Sequence, residues 1–320
     1  MLRIGGALLM HTLLFNIGGT VVTILNEIFK DNLTTGIYIA LELLMSLVYI
    51  TAFVFPAYFF YLISRKRNPL PPMLEPHLGS DFPLMLFATI ALSLAAAYLN
   101  ASIVNIVGFY DYYGGYSEDL SSNISLLLVF ISTAVVPAFS EELLFRGVIL
   151  TNLKPYGKTT ALLASAALFA LMHNNGAQLL YTFIAGIFIG LVYIKTRSLW
   201  GCILIHFFNN LISVIELLLD SRLGERANLP IRIIELTVFT LGIVSLIILV
   251  IREKKKKRDF SSSGFGVILP PDENYIEKPI TAKQAVRGFF SPTVIVFLCL
   301  SAITIVLTLF RAAMANAGLY

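Results

Sequence analysis

The chain has 320 residues, of which 57% are hydrophobic and only 13% are charged, and its mean hydropathy is +0.82. Soluble domains carry about 25% charged residues, so this composition excludes a soluble globular protein and predicts an all-α membrane protein with several spans. The net charge of +4 follows from basic residues that flank the spans, so it requires no nucleic-acid partner. Cys202 and Cys299 lack CxxC spacing and indicate no disulfide framework.

Apolar runs in chain order predict a polytopic bundle of about eight core transmembrane helices and a ninth, C-terminal span. A span requires roughly 20 apolar residues, and the fifth run is short by that measure. The first run reads as a retained helix rather than a cleaved signal peptide. The runs are Ile4–Ile28, Tyr38–Ile63, Leu84–Val107, Ile124–Leu150, Thr160–Met172, Leu179–Ile194, Leu199–Leu219, Ile233–Ile251 and Thr293–Phe310.

The distribution of lysine and arginine predicts the orientation. Most of these residues gather in alternate connections, above all around Arg65 and after Ile251, which places the N-terminus in the cytoplasm, as expected for a bacterial plasma-membrane protein. The basic run Lys254–Arg258 flanks a span and can contact anionic lipid. The predicted parts are N-terminal helices with a proline-rich cytoplasmic linker (1–83), a core (84–251, with its motifs in 141–210), and a basic loop with the last span (252–320).

Polar residues at membrane depth concentrate in three clusters of the core. The first, Ser140–Arg146, holds two adjacent glutamates and an arginine; the second is Phe169–His173, and the third is His206–Asn210. An ionisable side chain inside the bilayer costs about 2.5–3.5 kcal/mol on insertion scales, so such residues are kept for structure or function. Three clusters on separate helices therefore predict a functional site.

Helical spacing assigns different positions to the acids. Glu142 and Arg146 are four residues apart, so they share a face and can form an ion pair. Glu141 points about 100° away, has no obvious partner in the sequence, and is the candidate general base. Glu141 and His173 are almost equally far from the turn at Pro155–Lys158, which predicts the same depth on antiparallel helices.

The same spacing argument applies to the other two clusters. Phe169 and His173 share a face, so the aromatic ring can orient the histidine. His206 and Asn210 also share a face, and Asn209 lies close to it. Spacing alone leaves open which asparagine faces the site.

These residue types allow a narrow range of chemistry. A carboxylate with two imidazoles can hold and deprotonate a water molecule, directly or through a divalent metal. An amide donor beside an imidazole can stabilise a developing oxyanion. Together they indicate hydrolysis of an acyl bond, in particular a peptide bond.

In order and approximate spacing, the clusters resemble the three signature motifs of the CPBP family of intramembrane proteases. They read EExxxR from Glu141, FxxxH from Phe169 and HxxxN from His206. The family includes the type II CAAX prenyl endopeptidases (Rce1-like) and bacterial Abi proteins linked to bacteriocin processing and immunity. The resemblance covers Ser121–Leu219. It implies a helical bundle of about eight spans whose catalytic cavity opens toward the cytoplasm.

The resemblance also implies roles. Glu141 is similar to the family's water-activating glutamate, assisted by His173. The substrate would be a peptide or membrane protein, prenylated or not. The water would be activated either by the glutamate alone or by zinc or another divalent metal, held by Glu141, His173 and His206. His206 and Asn210 resemble the pair that faces the oxyanion. Glu142 and Arg146 resemble the residues that organise the site.

Two other functions fit the same residues. A proton-coupled transporter would use Glu141, His173 and His206 as a proton relay, although no duplicated, broken helix pair is apparent in the sequence. A non-enzymatic immunity or scaffold protein would keep the fold without turnover. The intact motifs favour the enzyme over both.

Overall fold

The computed structural model describes residues 1–64, 78–107, 122–262 and 289–316. Within these ranges every regular element is helical, which confirms the predicted all-α class. The linker between residues 65 and 77 and the loop between residues 263 and 288 lie outside the described residues. The long helices are α1 (Leu2–Phe29), α2 (Thr35–Ser64), α3 (Phe82–Val107), α4 (Asn123–Leu153), α5 (Lys158–Met172), α6 (Leu179–Thr196), α7 (Leu199–Leu223), α8 (Asn228–Ser262) and α9 (Pro292–Asn316).

Helix length and hydropathy identify an integral membrane protein. Seven segments of the described chain are long and apolar enough to cross a bilayer. One of them, Leu199–Lys256, is 58 residues long. It contains α7 and most of α8, which a 3-10 turn at Gly224–Ala227 joins. Helix α5 has only 15 residues and is about 22 Å long, which agrees with the short fifth apolar run. Each predicted apolar run is thus occupied by one helix.

Contacts between helix ends define one end of the bundle, here called the basic end. It joins the starts of α1, α3 and α9 to the ends of α2, α4, α6 and α8, so basic residues that are far apart in sequence lie together. The contacts are Arg3 Nη1 to Ile63 O at 3.0 Å, Lys195 Nζ to Glu253 Oε1 at 2.7 Å, Arg252 to Asp81, Thr293 Oγ1 to Leu2 O at 2.9 Å, and Lys154 Nζ at 4.9 Å from the centre of the Tyr193 ring.

The C-terminal helix α9 packs closely against α1 at Gly5. A Cβ atom on Gly5 would lie 2.2 Å from Thr293 Oγ1 and 2.6 Å from the backbone nitrogen of Val294, whereas a Cβ on the neighbouring Gly6 would have nothing within 4 Å. Only a residue without a side chain permits this approach. The last span is therefore packed against the first, although the two lie at opposite ends of the sequence.

We expect Gly5→Ala to be less stable than Gly6→Ala. Alanine favours a helix over glycine by about 1 kcal/mol at either position, but at Gly5 the methyl group must push α9 away, and overpacking costs about 1–3 kcal/mol. Thermal unfolding of the two variants in the same detergent measures the difference. Equal melting temperatures would contradict the α1–α9 contact.

Candidate active site

A cavity of about 340 Å³ lies among α2, α4, α5, α6 and α7. Each of the three sequence clusters contributes at least one side chain to it. The ion-pair residues Glu142 and Arg146 do not line it. The predicted site residues that do are Glu141, His173, His206, Asn209 and Asn210.

Glu141 is buried, with 3% of its surface exposed, and its two carboxylate oxygens have different surroundings. The hydroxyl of Tyr49 donates a hydrogen bond to Oε1. Oε2 has no hydrogen-bond partner among the described residues and lies 3.9 Å from His206 Nε2. The structure thus provides the partner that spacing along α4 does not predict, and it leaves one oxygen free at the cavity.

Glu142 lies behind the cavity and holds two side chains. Its Oε1 accepts a hydrogen bond from Arg146 Nη1 at 2.8 Å and contacts His206 Nδ1, also at 2.8 Å. Arg146 also donates to the carbonyl of Gly186 at 3.1 Å and lies 4.7 Å from the centre of the Phe169 ring. The predicted i,i+4 ion pair is therefore present, and it connects α4 to α6 and α7.

The partners of the two histidines assign their tautomers. When Glu142 accepts the Nδ1 proton of His206, the Nε2 atom of that ring faces Glu141. His173 follows the last residue of α5, and its Nδ1 lies 2.8 Å from the carbonyl of Phe169. Donation to this carbonyl leaves the His173 Nε2 atom available to the cavity. Both imidazoles are thus oriented by hydrogen bonds on the nitrogen farther from the reaction space.

Asn210 is held by a backbone carbonyl of α4 that lacks its usual i+4 hydrogen-bond donor. Pro137 has no N–H group, so the carbonyl four residues earlier, on Thr133, lacks its i+4 helical donor. Asn210 Nδ2 donates to this oxygen at 3.0 Å. Asn209 Nδ2 instead donates to the Tyr181 hydroxyl at 2.6 Å. Both asparagines line the cavity, one bound to α4 and the other to α6.

Helix α4 is irregular on both sides of its acids. Two segments, Ile131–Val135 and Leu143–Leu150, have π-helical hydrogen bonding and enclose the stretch Val136–Glu142. π-Segments inside α-helices are frequent at functional sites because they change the direction in which side chains point. Here they flank the segment that places the two glutamates on different partners.

On α6 the cavity lining continues as far as Ile189, toward the basic end, whereas on α4 and α7 it lies on the other side. On α4 the cavity is lined by Thr133, Pro137 and Glu141, and on α7 from His206 to Ser213. Because α4 runs toward the basic end and α7 runs away from it, both sets lie on the side facing away from the basic end. The opening of the cavity toward the cytoplasm therefore stays a prediction.

A family model matches the part of the chain that contains the three motifs. Residues 123–212 match the model described as type II CAAX prenyl endopeptidase Rce1-like, and all three motifs lie in this range. This stretch of 90 residues is similar to that family and is here called the Rce1-like segment. Searches of curated proteins and of solved structures found no match. The family named by this description is a protease family, so the Rce1-like segment supports an intramembrane protease in general terms.

Tyr49 lines the cavity from outside the Rce1-like segment and was not predicted from the sequence. Tyr49 belongs to α2, which contains none of the three polar clusters. Its ring packs against Phe53, with centroids 4.8 Å apart, and meets Phe15 edge-on at 5.8 Å. In an apolar helix, the only sequence signal that a tyrosine gives is its hydroxyl group, which needs a hydrogen-bond partner inside a bilayer.

The predicted ligands Glu141, His173 and His206 do not form a three-ligand metal site among the described residues. In the part of the chain that the structure describes, no three His, Cys, Asp or Glu side chains lie close enough together to hold one ion. Two of the three predicted ligands, Glu141 and His206, are neighbours across 3.9 Å. The proposed mechanism therefore uses these side chains without a metal ion.

Proposed function

We propose that the protein is an endopeptidase in which Glu141 activates the hydrolytic water. The observation that carries this proposal is the free Oε2 atom of Glu141, which is buried, faces the cavity and lies beside His206 Nε2. A carboxylate oxygen that has no protein donor and faces a cavity with room for water is suited to accept a proton from water. The Rce1-like match supports the same class of reaction.

The proposed reaction conserves its protons. Glu141 Oε2 takes one proton from a water molecule whose position His173 Nε2 helps to fix, and the resulting hydroxide attacks the carbonyl carbon of the peptide. Glu141 then gives this proton to the leaving nitrogen and the C–N bond breaks. The proton of the new carboxylic acid passes to the amine, so a carboxylate and an ammonium group are released. The two carboxylates are not equivalent, because Glu142 is occupied by Arg146 and His206.

Two side chains are placed to stabilise the tetrahedral oxyanion. Asn210 uses one amide hydrogen for the carbonyl of Thr133, so its second amide hydrogen remains for the substrate. His206 donates from Nε2 when the ring carries a second proton, and the Glu142 carboxylate at Nδ1 compensates that charge. One such donor contributes on the order of 2.7–4 kcal/mol to transition-state stabilisation.

The expected substrate class follows from the family. The Rce1-like description implies a CAAX-type peptide, and a bacteriocin-related peptide is the other candidate. Both should be offered to purified protein in proteoliposomes made in ¹⁸O-labelled water. Hydrolysis is expected to place ¹⁸O in the new C-terminal carboxylate. Proton uptake by the vesicles without cleavage of any peptide would contradict the proposal and favour the transporter.

Tyr49 is expected to act as a positioning residue for Glu141. Tyr49→Phe removes the hydroxyl that binds Oε1, and a hydrogen bond to a charged group contributes about 1.5–3 kcal/mol. We expect kcat to fall on the order of 10- to 100-fold with KM almost unchanged. Peptide cleavage kinetics measure both constants.

Tyr181→Phe is the matched control for this prediction. Tyr181 also lines the cavity, but its hydroxyl accepts from Asn209 and does not bind Glu141. Its loss of kcat should therefore be the smaller of the two. Equal losses in both variants would mean that Tyr49 acts only through general packing.

Cleavage is expected to survive removal of metal ions. The described residues hold no three-ligand cluster, and the proposed water activation uses the Glu141 carboxylate directly. Activity should be unchanged after dialysis against EDTA or 1,10-phenanthroline, with elemental analysis of the protein as a second readout. Loss of activity that zinc alone restores would contradict the metal-free route.

A further inference from the structure

Asn100 is a polar residue of α3 that belongs to none of the three motifs. It lies outside the Rce1-like segment, in a mostly apolar helix, and its side chain is partly buried. A carboxamide at membrane depth has donors and an acceptor that lipid cannot satisfy, so asparagines in such helices form hydrogen bonds to neighbouring helices. Helix α3 packs against α6, and Asn100 finds its partners at the start of that helix.

The two polar groups of Asn100 bind the backbone at the first turn of α6. Its Nδ2 donates to the carbonyl of Ala177 at 2.5 Å, and its Oδ1 accepts from the backbone N–H of Tyr181 at 3.4 Å. Tyr181 is the third residue of α6, so its N–H is one of the four at a helix start that have no acceptor within the helix. Asn100 therefore caps α6 from a neighbouring helix, as an N-cap side chain does from within its own segment.

The capped turn forms one side of the catalytic cavity. Gln178, Tyr181 and Thr182, here called the α6 wall, line the cavity at the N-cap and in the first turn of α6. Gln178 is exposed, and the Tyr181 hydroxyl accepts from Asn209. The position of the α6 wall therefore limits where a bound peptide can lie.

The groups that carry out the proposed chemistry are held by other bonds. Glu141 is bound by Tyr49 of α2, and Asn210 is bound to a carbonyl of α4. His173 is oriented by a carbonyl of its own helix. None of these three bonds involves the first turn of α6. A shift of the α6 wall would therefore change substrate binding more than the bond-breaking step.

From these contacts we infer that Asn100 is a positioning residue for the substrate, because it fixes the α6 wall. The inference rests on the proposed endopeptidase function. Asn100 does not line the cavity itself and acts only through the backbone of Ala177 and Tyr181. The working site thus extends to α3, beyond the Rce1-like segment.

Asn100→Leu and Asn100→Ala test this role. Leucine removes both hydrogen bonds at nearly constant size, and alanine removes them without added bulk. Asn16→Leu is the matched control, because Asn16 is also an asparagine of a long apolar helix but donates only within its own helix, to the carbonyl of Thr12 at 2.7 Å. Thermal unfolding in one detergent compares the stability of the three variants.

We expect both Asn100 variants to raise KM about tenfold and to keep kcat within about twofold of the wild-type value. This split is the opposite of the one expected for Tyr49→Phe. Hydrogen exchange followed by mass spectrometry should show roughly tenfold faster exchange of the Tyr181 amide, because that N–H has lost its acceptor. Asn16→Leu should change neither quantity.

A fall in kcat at unchanged KM would overturn the inference, as would wild-type exchange of the Tyr181 amide in both Asn100 variants. An equal rise of KM in Asn16→Leu would also overturn it, since the loss of any asparagine would then have this effect. Loss of the whole fold in both Asn100 variants would mean that Asn100 supports the bundle rather than one helix start. If exchange changes as expected but the wild-type protein cleaves no peptide, the proposed function fails and the cap on α6 stands.

Discussion

Glu141→Gln is expected to lower kcat by roughly 100- to 10,000-fold, the range that a general base contributes. The amide cannot take the proton from water. It has the same size as the carboxylate, and its oxygen can still accept from the Tyr49 hydroxyl, so the fold should persist. Cleavage assays with purified protein measure the rate, and thermal unfolding verifies the structure.

Glu253→Gln is the matched control for this loss. Glu253 pairs with Lys195 at the basic end, where both side chains are largely exposed, and exposed ion pairs contribute only about 0–1 kcal/mol. This variant should cleave at the wild-type rate. A loss smaller than about 100-fold in Glu141→Gln would mean that another group activates the water.

Arg146→Leu is expected to lower the free energy of unfolding by about 3–5 kcal/mol. Arg146 is the cationic partner of Glu142, 2.8 Å away, and both side chains are buried. Removing it leaves a carboxylate without its guanidinium in the bundle interior. Thermal or denaturant unfolding in detergent measures the loss, which should exceed that of any other single change predicted for this protein.

The double variant Glu142→Leu with Arg146→Leu separates charge from packing. Replacing both members of a buried ion pair by apolar residues is often neutral, so this variant should be more stable than Arg146→Leu alone. It should still be inactive, because His206 loses the carboxylate that orients its ring. If the double variant were as unstable as the single one, an unpaired buried charge would not be the cause.

The helices were largely predictable because a bilayer imposes a simple rule on sequence. A membrane-spanning segment must form all its backbone hydrogen bonds internally and expose apolar side chains to lipid. Apolar runs of span length therefore predict helices directly. The nine predicted runs agree with the nine long helices in the described ranges. The Glu142–Arg146 pair was equally predictable, because two residues four apart on a helix always share a face.

Local irregularities were not predictable from the same rule. The π-segments of α4 change which way its side chains point, and no periodicity argument contains them. Pro137 is visible in the sequence, yet its consequence appears only when Asn210 from α7 reaches the free carbonyl of Thr133. The choice between Asn209 and Asn210 had no single answer, because each has its own partner and both line the cavity.

The amino-acid sequence by itself determined the membrane class, the helices and the three polar clusters, since each follows from composition or from contacts within one helix. Only the tertiary structure decided which groups meet: Tyr49 reaches Glu141 across 92 positions and His206 reaches Glu142 across 64. Packing between helices sets these distances, and packing depends on the shapes of whole faces rather than on any local pattern.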